Sequence, residues 1–134
     1  FWPNVDAGSD GTSNGIRSFR ENVKPKNIHF FKNMEPNDFL KLLVNSKCLI
    51  GNSSVGVREC SYLGVPVVNI GSRQNRRQRG SNIIDTNYNK TAIQNRLNAT
   101  NIISETIYGD GNSGEKIAKI LANTEFTFHK TIAY

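Results

Sequence analysis

The stretch Gly51-Asn52-Ser53-Ser54-Val55-Gly56-Val57-Arg58-Glu59 decides the interpretation of this chain, because it joins an apolar strand to an apolar helix. Residues 47–50 predict a short buried strand, and residues 55–63 predict a helix that ends at Gly64. The polar run therefore lies at a strand-to-helix turn. Free backbone N–H groups and the positive end of the helix dipole favour an anion at such a turn.

Three side chains of this stretch indicate the kind of anion. Ser53 and Ser54 add hydroxyl donors, although a helix cap alone would account for one serine. Glu59 is expected about one turn inside the helix, where its carboxylate suits a pair of sugar hydroxyls better than a bare phosphate. The spacing excludes a P-loop, because Gly51 is not followed at the required distance by Gly-Lys-Ser/Thr. It also excludes a nucleophile elbow, which would need Gly at the position of Val55. The stretch predicts a nucleotide or nucleotide-sugar site, with phosphates on the turn and ribose on Glu59.

Short apolar runs alternate with amphipathic ones along the rest of the chain. Further strands are predicted at 28–31, 66–70 and 82–84, and further helices are predicted from 10–13, from Glu35, over 90–98 and over 114–123. This alternation predicts an α/β fold with a parallel sheet covered by helices on both faces. Ligands of such sheets lie beyond the carboxyl ends of the strands. The candidate site therefore comprises the loops 4–10, 33–35, 51–54 and 71–80.

Charge and composition narrow the classes of partner. The 134 residues are expected to form one domain, and the net charge of +6 is concentrated in Arg73, Arg76, Arg77 and Arg79. No aromatic residues are interleaved with these arginines, so a basic loop that serves a diphosphate is favoured over nucleic-acid binding. Arg73 and Arg77 would share a face if the loop were helical. No apolar run approaches the roughly 20 residues of a membrane span.

The sequence offers a binding site rather than complete catalytic machinery. Cys48 and Cys60 fall in a predicted strand and helix, which indicates buried thiols in a reducing compartment such as the cytoplasm. No Cys/His spacing indicates a metal, and no pair of carboxylates is arranged for acid–base chemistry. The first residues, Phe1 and Trp2, look like the end of a strand, so we expect a piece of a longer protein.

Four sequence blocks resemble the hydrolysing UDP-N-acetylglucosamine 2-epimerases, in particular their sialic-acid branch. The first two blocks are the opening stretch 51–59 and the run 64–74, GVPVVNIGSRQ. The others are 1–10, FWPNVDAGSD, and 107–112, IYGDGN. Their order and spacing agree from Phe1 to about Leu121. Ser54 stands where non-hydrolysing bacterial relatives have Gly, which favours the hydrolysing branch.

The resemblance implies a fold and a set of ligand contacts. It implies a three-layer Rossmann-like domain spanning 1–134, the C-terminal half of a two-domain fold like the GT-B glycosyltransferases. Family positions that bind UDP match the following residues: Ser53 and Ser54 on the diphosphate, Glu59 on the ribose, Phe39 beside the uracil, Arg73 near the phosphates, and Asn4 and Asp6 in a cleft-lining loop. Arg77 also fits the pattern, without an assigned role.

The resemblance also implies a reaction and partners. Proton abstraction at sugar C2 and loss of UDP from C1 give a glycal, to which water adds to release N-acetylmannosamine. The catalytic carboxylates and histidine belong to the N-terminal half, so the fragment alone is expected to be inactive. The implied partners are the UDP-sugar, the chain's own N-terminal domain and further copies in a homo-oligomer, with no cofactor, metal, nucleic acid or membrane.

Three alternatives share part of this pattern. A UDP-diacetylbacillosamine 2-epimerase differs at the sugar and not at UDP. A GT-B glycosyltransferase would bind its donor nucleotide through the same contacts, a glutamate on the ribose and a turn on the phosphates. The blocks around Arg73 and Tyr108 favour the epimerases. A nucleotide-sensing or nucleic-acid-binding module would use the arginine loop.

Overall fold

A computed structural model describes residues 1–96 and 103–126. The chain divides into two compact units, Phe1–Asn45 and Ser46–Tyr134, and each unit is described by itself. Residues 97–98 of the helix predicted over 90–98 lie outside the described residues. The tail 127–134 also lies outside them.

The first unit contains two helices, α1 (Ser9–Val23) and α2 (Pro36–Val44). Helix α1 begins after Gly8, whose φ of 82° is left-handed, so it starts slightly before the predicted caps. Helix α2 begins at Pro36, as predicted, because proline suits the first helical turn. The rings of Phe1 and Phe31 stack with centroids 5.5 Å apart, which ties the start of the chain to the segment between the helices.

The strand predicted over 28–31 is wrong. The Trp2 N–H donates to the carbonyl of Phe31 over 2.8 Å, but the structure assigns no ladder to this segment within residues 1–45. An apolar run becomes a strand only when a neighbouring strand satisfies its backbone groups.

The second unit contains a three-stranded parallel sheet in the order β1-β2-β3. The strands are β1 (Leu49–Gly51), β2 (Val67–Ile70) and β3 (Ile83–Thr86). The described part of the unit also contains the helices α3 (Ser54–Val57), α4 (Glu59–Leu63), α5 (Lys90–Arg96) and α6 (Ser113–Asn123). Leu49 pairs with Val67, and Val67 pairs with Ile83, so the carboxyl ends of all three strands lie at one edge. The predicted α/β class and parallel sheet are confirmed.

The core of this unit lies around the central strand and the neighbouring helices α3 and α4. Val57, Cys60, Val67 and Val68 are buried there, and both α3 and α5 contact β2. The predicted end of the helical segment at Gly64 is confirmed, since Gly64 adopts φ 66° and ψ 30°. Because α3 begins directly after β1, the sheet fixes the position of the turn 51–54.

Candidate functional site

The turn after β1 presents two serines in different roles. Ser53 is the N-cap of α3, and its Oγ accepts from the backbone N–H of Val55 over 3.4 Å. Ser54 is the first residue of α3 and is half-buried. The capping interpretation therefore accounts for Ser53, and the predicted position of both serines at a strand-to-helix turn is confirmed.

The helix predicted over 55–63 is not continuous. It breaks at Arg58, whose φ of −100° and ψ of −73° separate α3 from α4. In an unbroken helix the carbonyl of Gly56 would accept from the N–H four residues later. Here the side chain of Asn82, which is 2% exposed, donates to that carbonyl from Nδ2 over 3.2 Å. Because α3 has only four residues, attraction of an anion would depend on local amides, hydroxyls and cations more than on a helix dipole.

Glu59 is the first residue of α4, not one turn inside a continuous helix. Its Oε1 accepts from Nη2 of Arg58 over 3.2 Å, and its side chain is 34% exposed. Its Oε2 is buried and has no hydrogen-bond partner among the described residues. The carboxylate therefore has one paired oxygen and one buried, unpaired oxygen, six residues after the N-cap Ser53.

The basic loop 71–80 folds back onto the serine turn. The carbonyl of Asn52 accepts from Nη1 of Arg73 over 3.2 Å and from Nε2 of Gln74 over 2.7 Å. The structure thus brings Arg73 to the turn that carries Ser53 and Ser54. Sequence reasoning missed Gln74, because a glutamine among arginines has the composition of a solvated loop, yet its side chain is 2% exposed.

The loop contains turns rather than a helix. The N–H of Asn75 donates to the carbonyl of Ser72 over 2.9 Å, and Arg76 adopts a left-handed φ of 64°, which ends any helical run. The shared helical face suggested for Arg73 and Arg77 is therefore wrong. Arg77 is exposed.

A chain of polar contacts anchors this loop to the sheet. Nδ2 of Asn69, in β2, donates to Oδ1 of Asp85 over 2.6 Å. Nη1 of Arg79 lies 3.1 Å from the same oxygen, and Nη2 of Arg79 donates to the carbonyl of Gln74 over 2.8 Å. Arg79 is thus a structural cation, unlike the exposed Arg77.

The block around Tyr108 supports the far end of the loop. Its hydroxyl donates to the carbonyl of Gln78 over 2.5 Å. The predicted turn that follows is confirmed, since Gly109 and Gly111 adopt φ of 118° and 86°. The block 107–112 therefore braces the arginine loop.

Two of the predicted UDP contacts, Phe39 and Asn4, belong to the first unit. The ring of Phe39 meets Phe1 edge-to-face, with centroids 5.1 Å apart. Asn4 is exposed in the segment before α1, and Asp6 accepts from the N–H of Ser9 over 3.0 Å through its carbonyl. Their assignment to UDP stays a prediction.

The two cysteine thiols of the second unit are kept in the protonated, weakly nucleophilic form by their surroundings. Burial, and then the charge of Glu59, raise the pKa of Cys60 to about 12, and burial also raises the pKa of Cys48. Both cysteines are free, but only Cys60 is fully buried.

Among residues 1–96 and 103–126, no three His, Cys, Asp or Glu side chains are grouped to hold a metal ion. No helix in that part of the chain has the length and apolar character to cross a membrane.

Comparisons with known proteins agree on one family. A model of the family described as UDP-N-acetylglucosamine 2-epimerase matches residues 3–122. A UDP-N,N'-diacetylbacillosamine 2-epimerase (hydrolyzing) of Legionella pneumophila is 32% identical over 123 residues, covering 89% of this chain and 32% of the relative.

Two further relatives extend this picture. A UDP-N-acetylglucosamine 2-epimerase of Neisseria meningitidis is 31% identical over 134 residues, covering 93% of this chain and 34% of the relative. The polysialic acid biosynthesis protein P7 of Escherichia coli is 36% identical over 95 residues, covering 71% of this chain and 24% of the relative. The chain spans only about a third of the length of the first two relatives.

Proposed function

Because this chain belongs to the UDP-N-acetylglucosamine 2-epimerase family, we propose that it is the UDP-binding part of a longer, hydrolysing epimerase. The longer protein converts UDP-N-acetylglucosamine to N-acetylmannosamine and UDP. The Legionella relative is named as hydrolyzing and aligns with 89% of this chain, which supports the hydrolysing form.

The buried, unpaired Oε2 of Glu59 is the observation that carries the proposal. A buried carboxylate oxygen without a hydrogen bond has a desolvation cost, which a hydroxyl donor would relieve. Oε1 already accepts from Arg58, which leaves Oε2 for a further donor. A ribose offers adjacent hydroxyls as donors, and a phosphate offers none. Glu59 therefore suits the ribose of UDP.

The serine turn and Arg73 supply the complementary contacts for the diphosphate. Ser53 and Ser54 provide hydroxyl and backbone donors at the carboxyl end of β1. Arg73 brings a guanidinium group to the same turn through its bond to the carbonyl of Asn52. These groups would stabilise the negative charge that UDP acquires as it leaves C1 of the sugar.

The chain's contribution to the reaction is binding and leaving-group stabilisation. Proton abstraction at C2 and hydration of the glycal are assigned to residues outside this chain. The same proposal includes three features of the longer protein. These are a two-domain GT-B-like arrangement, association with an N-terminal domain, and a homo-oligomeric state. A reducing compartment such as the cytoplasm suits the two free cysteines.

A second substrate, a UDP-diacetylbacillosamine, is favoured by the name of the Legionella relative. The two substrates share UDP and differ only in the sugar. The residues described here therefore accommodate either, and sugar contacts elsewhere in the longer protein decide between them.

Turnover by the full-length protein tests the proposal. The protein is incubated in D₂O with each UDP-sugar in turn, and products are identified by NMR. Elimination followed by hydration predicts release of UDP and a free 2-epimeric sugar with deuterium at C2. Sugar transfer to an acceptor, with no free epimer, would instead indicate a glycosyltransferase.

A further inference from the structure

We propose that Gln74 is a positioning residue for the diphosphate segment, and that it acts through the carbonyl of Asn52. This inference rests on the proposed function of Ser53 and Ser54. The side chain of Gln74 donates to the backbone of the turn at Asn52, and we assign it no direct contact with the nucleotide.

The geometry of one peptide group carries the proposal. In a trans peptide the C=O and N–H point in opposite directions, and the described residues contain no cis peptide bond. The carbonyl of Asn52 is held by Gln74 over 2.7 Å and by Arg73 over 3.2 Å. These two donors fix the rotation of the peptide plane, and therefore the direction of the Ser53 N–H on its opposite side.

Gln74 is built as a rigid donor. Its side chain is 2% exposed, and its own carbonyl accepts from Nη2 of Arg79 over 2.8 Å. Arg79 is paired with Asp85, which accepts from Asn69 in the central strand. The donor that holds the turn is thus connected to the sheet through a continuous series of polar contacts.

Stability alone does not explain a glutamine at this position. The buried Oε1 of Gln74 has no hydrogen-bond partner among the described residues. An unsatisfied buried amide oxygen is destabilising, whereas methionine would fill a similar volume without that cost. Within residues 1–96 and 103–126, the favourable polar contact of the side chain is the bond to Asn52, and we therefore assign it the role of orienting the turn.

Two variants of Gln74 separate positioning from packing. Gln74→Met keeps the length and removes the donor, and Gln74→Glu keeps the shape but points an acceptor at the Asn52 carbonyl. Gln94→Met is the matched control, because Gln94 is exposed on α5. Each is made in the full-length protein, and affinities for UDP and for uridine are measured by titration calorimetry.

Positioning predicts unequal losses. Gln74→Met lowers the affinity for UDP about tenfold, the equivalent of roughly one hydrogen bond, and changes the affinity for uridine less than about twofold. Gln74→Glu has a larger effect, and Gln94→Met has none. If UDP and uridine weaken by the same factor, or if neither changes, Gln74 is a packing residue and the proposal is overturned.

A ligand-free measurement distinguishes this proposal from the proposed function. Hydrogen–deuterium exchange of the segment 51–57, read by mass spectrometry, is expected to be faster in Gln74→Met than in Gln94→Met. Should the wild-type protein bind UDP no better than GDP, the uridine site fails, while faster exchange would still support positioning of the turn. Unchanged exchange would overturn the positioning role whatever the nucleotide result.

Discussion

Gly56 in α3 lies directly against Val67 in β2, so that a Cβ built on Gly56 would come within 2.8 Å of Val67 Cγ1. This close approach sets the separation between the serine-bearing helix and the central strand. The same added Cβ would lie 3.4 Å from Leu49 Cδ2, in the neighbouring strand. The absence of a side chain at position 56 therefore allows α3 to pack against two strands at once.

The substitution Gly56→Ala is expected to destabilise the protein by about 1–3 kcal/mol, because the extra methyl overpacks the contact with Val67. Urea unfolding of the variant and of the wild type measures this difference. Gly114→Ala is the control, since a Cβ there meets nothing within 4 Å and alanine favours a helix. Equal stability of Gly56→Ala and wild type would contradict the packing of α3 described here.

The substitution Glu59→Gln is expected to lower UDP affinity about tenfold or more, because charged acceptors form the stronger hydrogen bonds with hydroxyls. The wild-type protein should also prefer UDP to 2',3'-dideoxy-UDP, and the variant should lose most of that preference. Calorimetric titration measures both. Glu115→Gln, an exposed carboxylate on α6, serves as the control. A variant that keeps the full preference for the ribose hydroxyls would remove Glu59 from the site.

The thiol of Cys60 is expected to resist alkylation. With a pKa of about 12, it is ionised in only about one molecule in 10⁴ at pH 8, and burial blocks access as well. Iodoacetamide labelling followed by mass spectrometry should modify Cys60 in urea and not in the native protein. Because Glu59 contributes to the raised pKa, Glu59→Gln should lower it. Rapid native labelling would contradict the burial of α4.

Glu105 is expected to contribute to stability in a pH-dependent way. The hydroxyl and the backbone N–H of Ser81 both donate to Glu105 Oε1, and these bonds hold the pKa of Glu105 below its ordinary 4.5. The folded state therefore favours the ionised form. Its stabilising effect is present above about pH 4.5 and is lost as the pH falls through the lowered value.

The substitution Glu105→Gln tests this dependence. The difference in urea midpoint between wild type and variant should be larger at pH 7 than at pH 3. A difference that stays constant between the two pH values would mean that the bonds from Ser81 do not depend on the charge of Glu105.

The sequence predicted the elements whose determinants are local. The parallel strands around Leu49, Val67 and Ile83 follow from apolar runs between turn residues, and the end of α4 follows from Gly64. The break at Arg58 could not be predicted in this way. It accompanies a hydrogen bond from Asn82, more than twenty residues away, which becomes visible only when the sheet is assembled.

The residues of the candidate site also differ in whether the sequence alone indicates them. Ser53, Ser54, Glu59 and Arg73 were identified because their residue types and order carry chemical information. Gln74 carries no such signal, because its function depends on burial and on a contact with Asn52, 22 residues earlier. The sequence alone therefore does not indicate Gln74, an uncharged residue within the arginine loop.

We propose that this chain binds UDP through the turn 51–54, Glu59 and the loop 71–80. The most direct test is hydrogen–deuterium exchange of the full-length protein, measured with UDP, with GDP and without nucleotide. Binding at these segments predicts saturable protection of 51–59 and 71–80 by UDP, and markedly weaker protection by GDP at the same concentration. Protection of other segments alone, or equal protection by the two nucleotides, would contradict it.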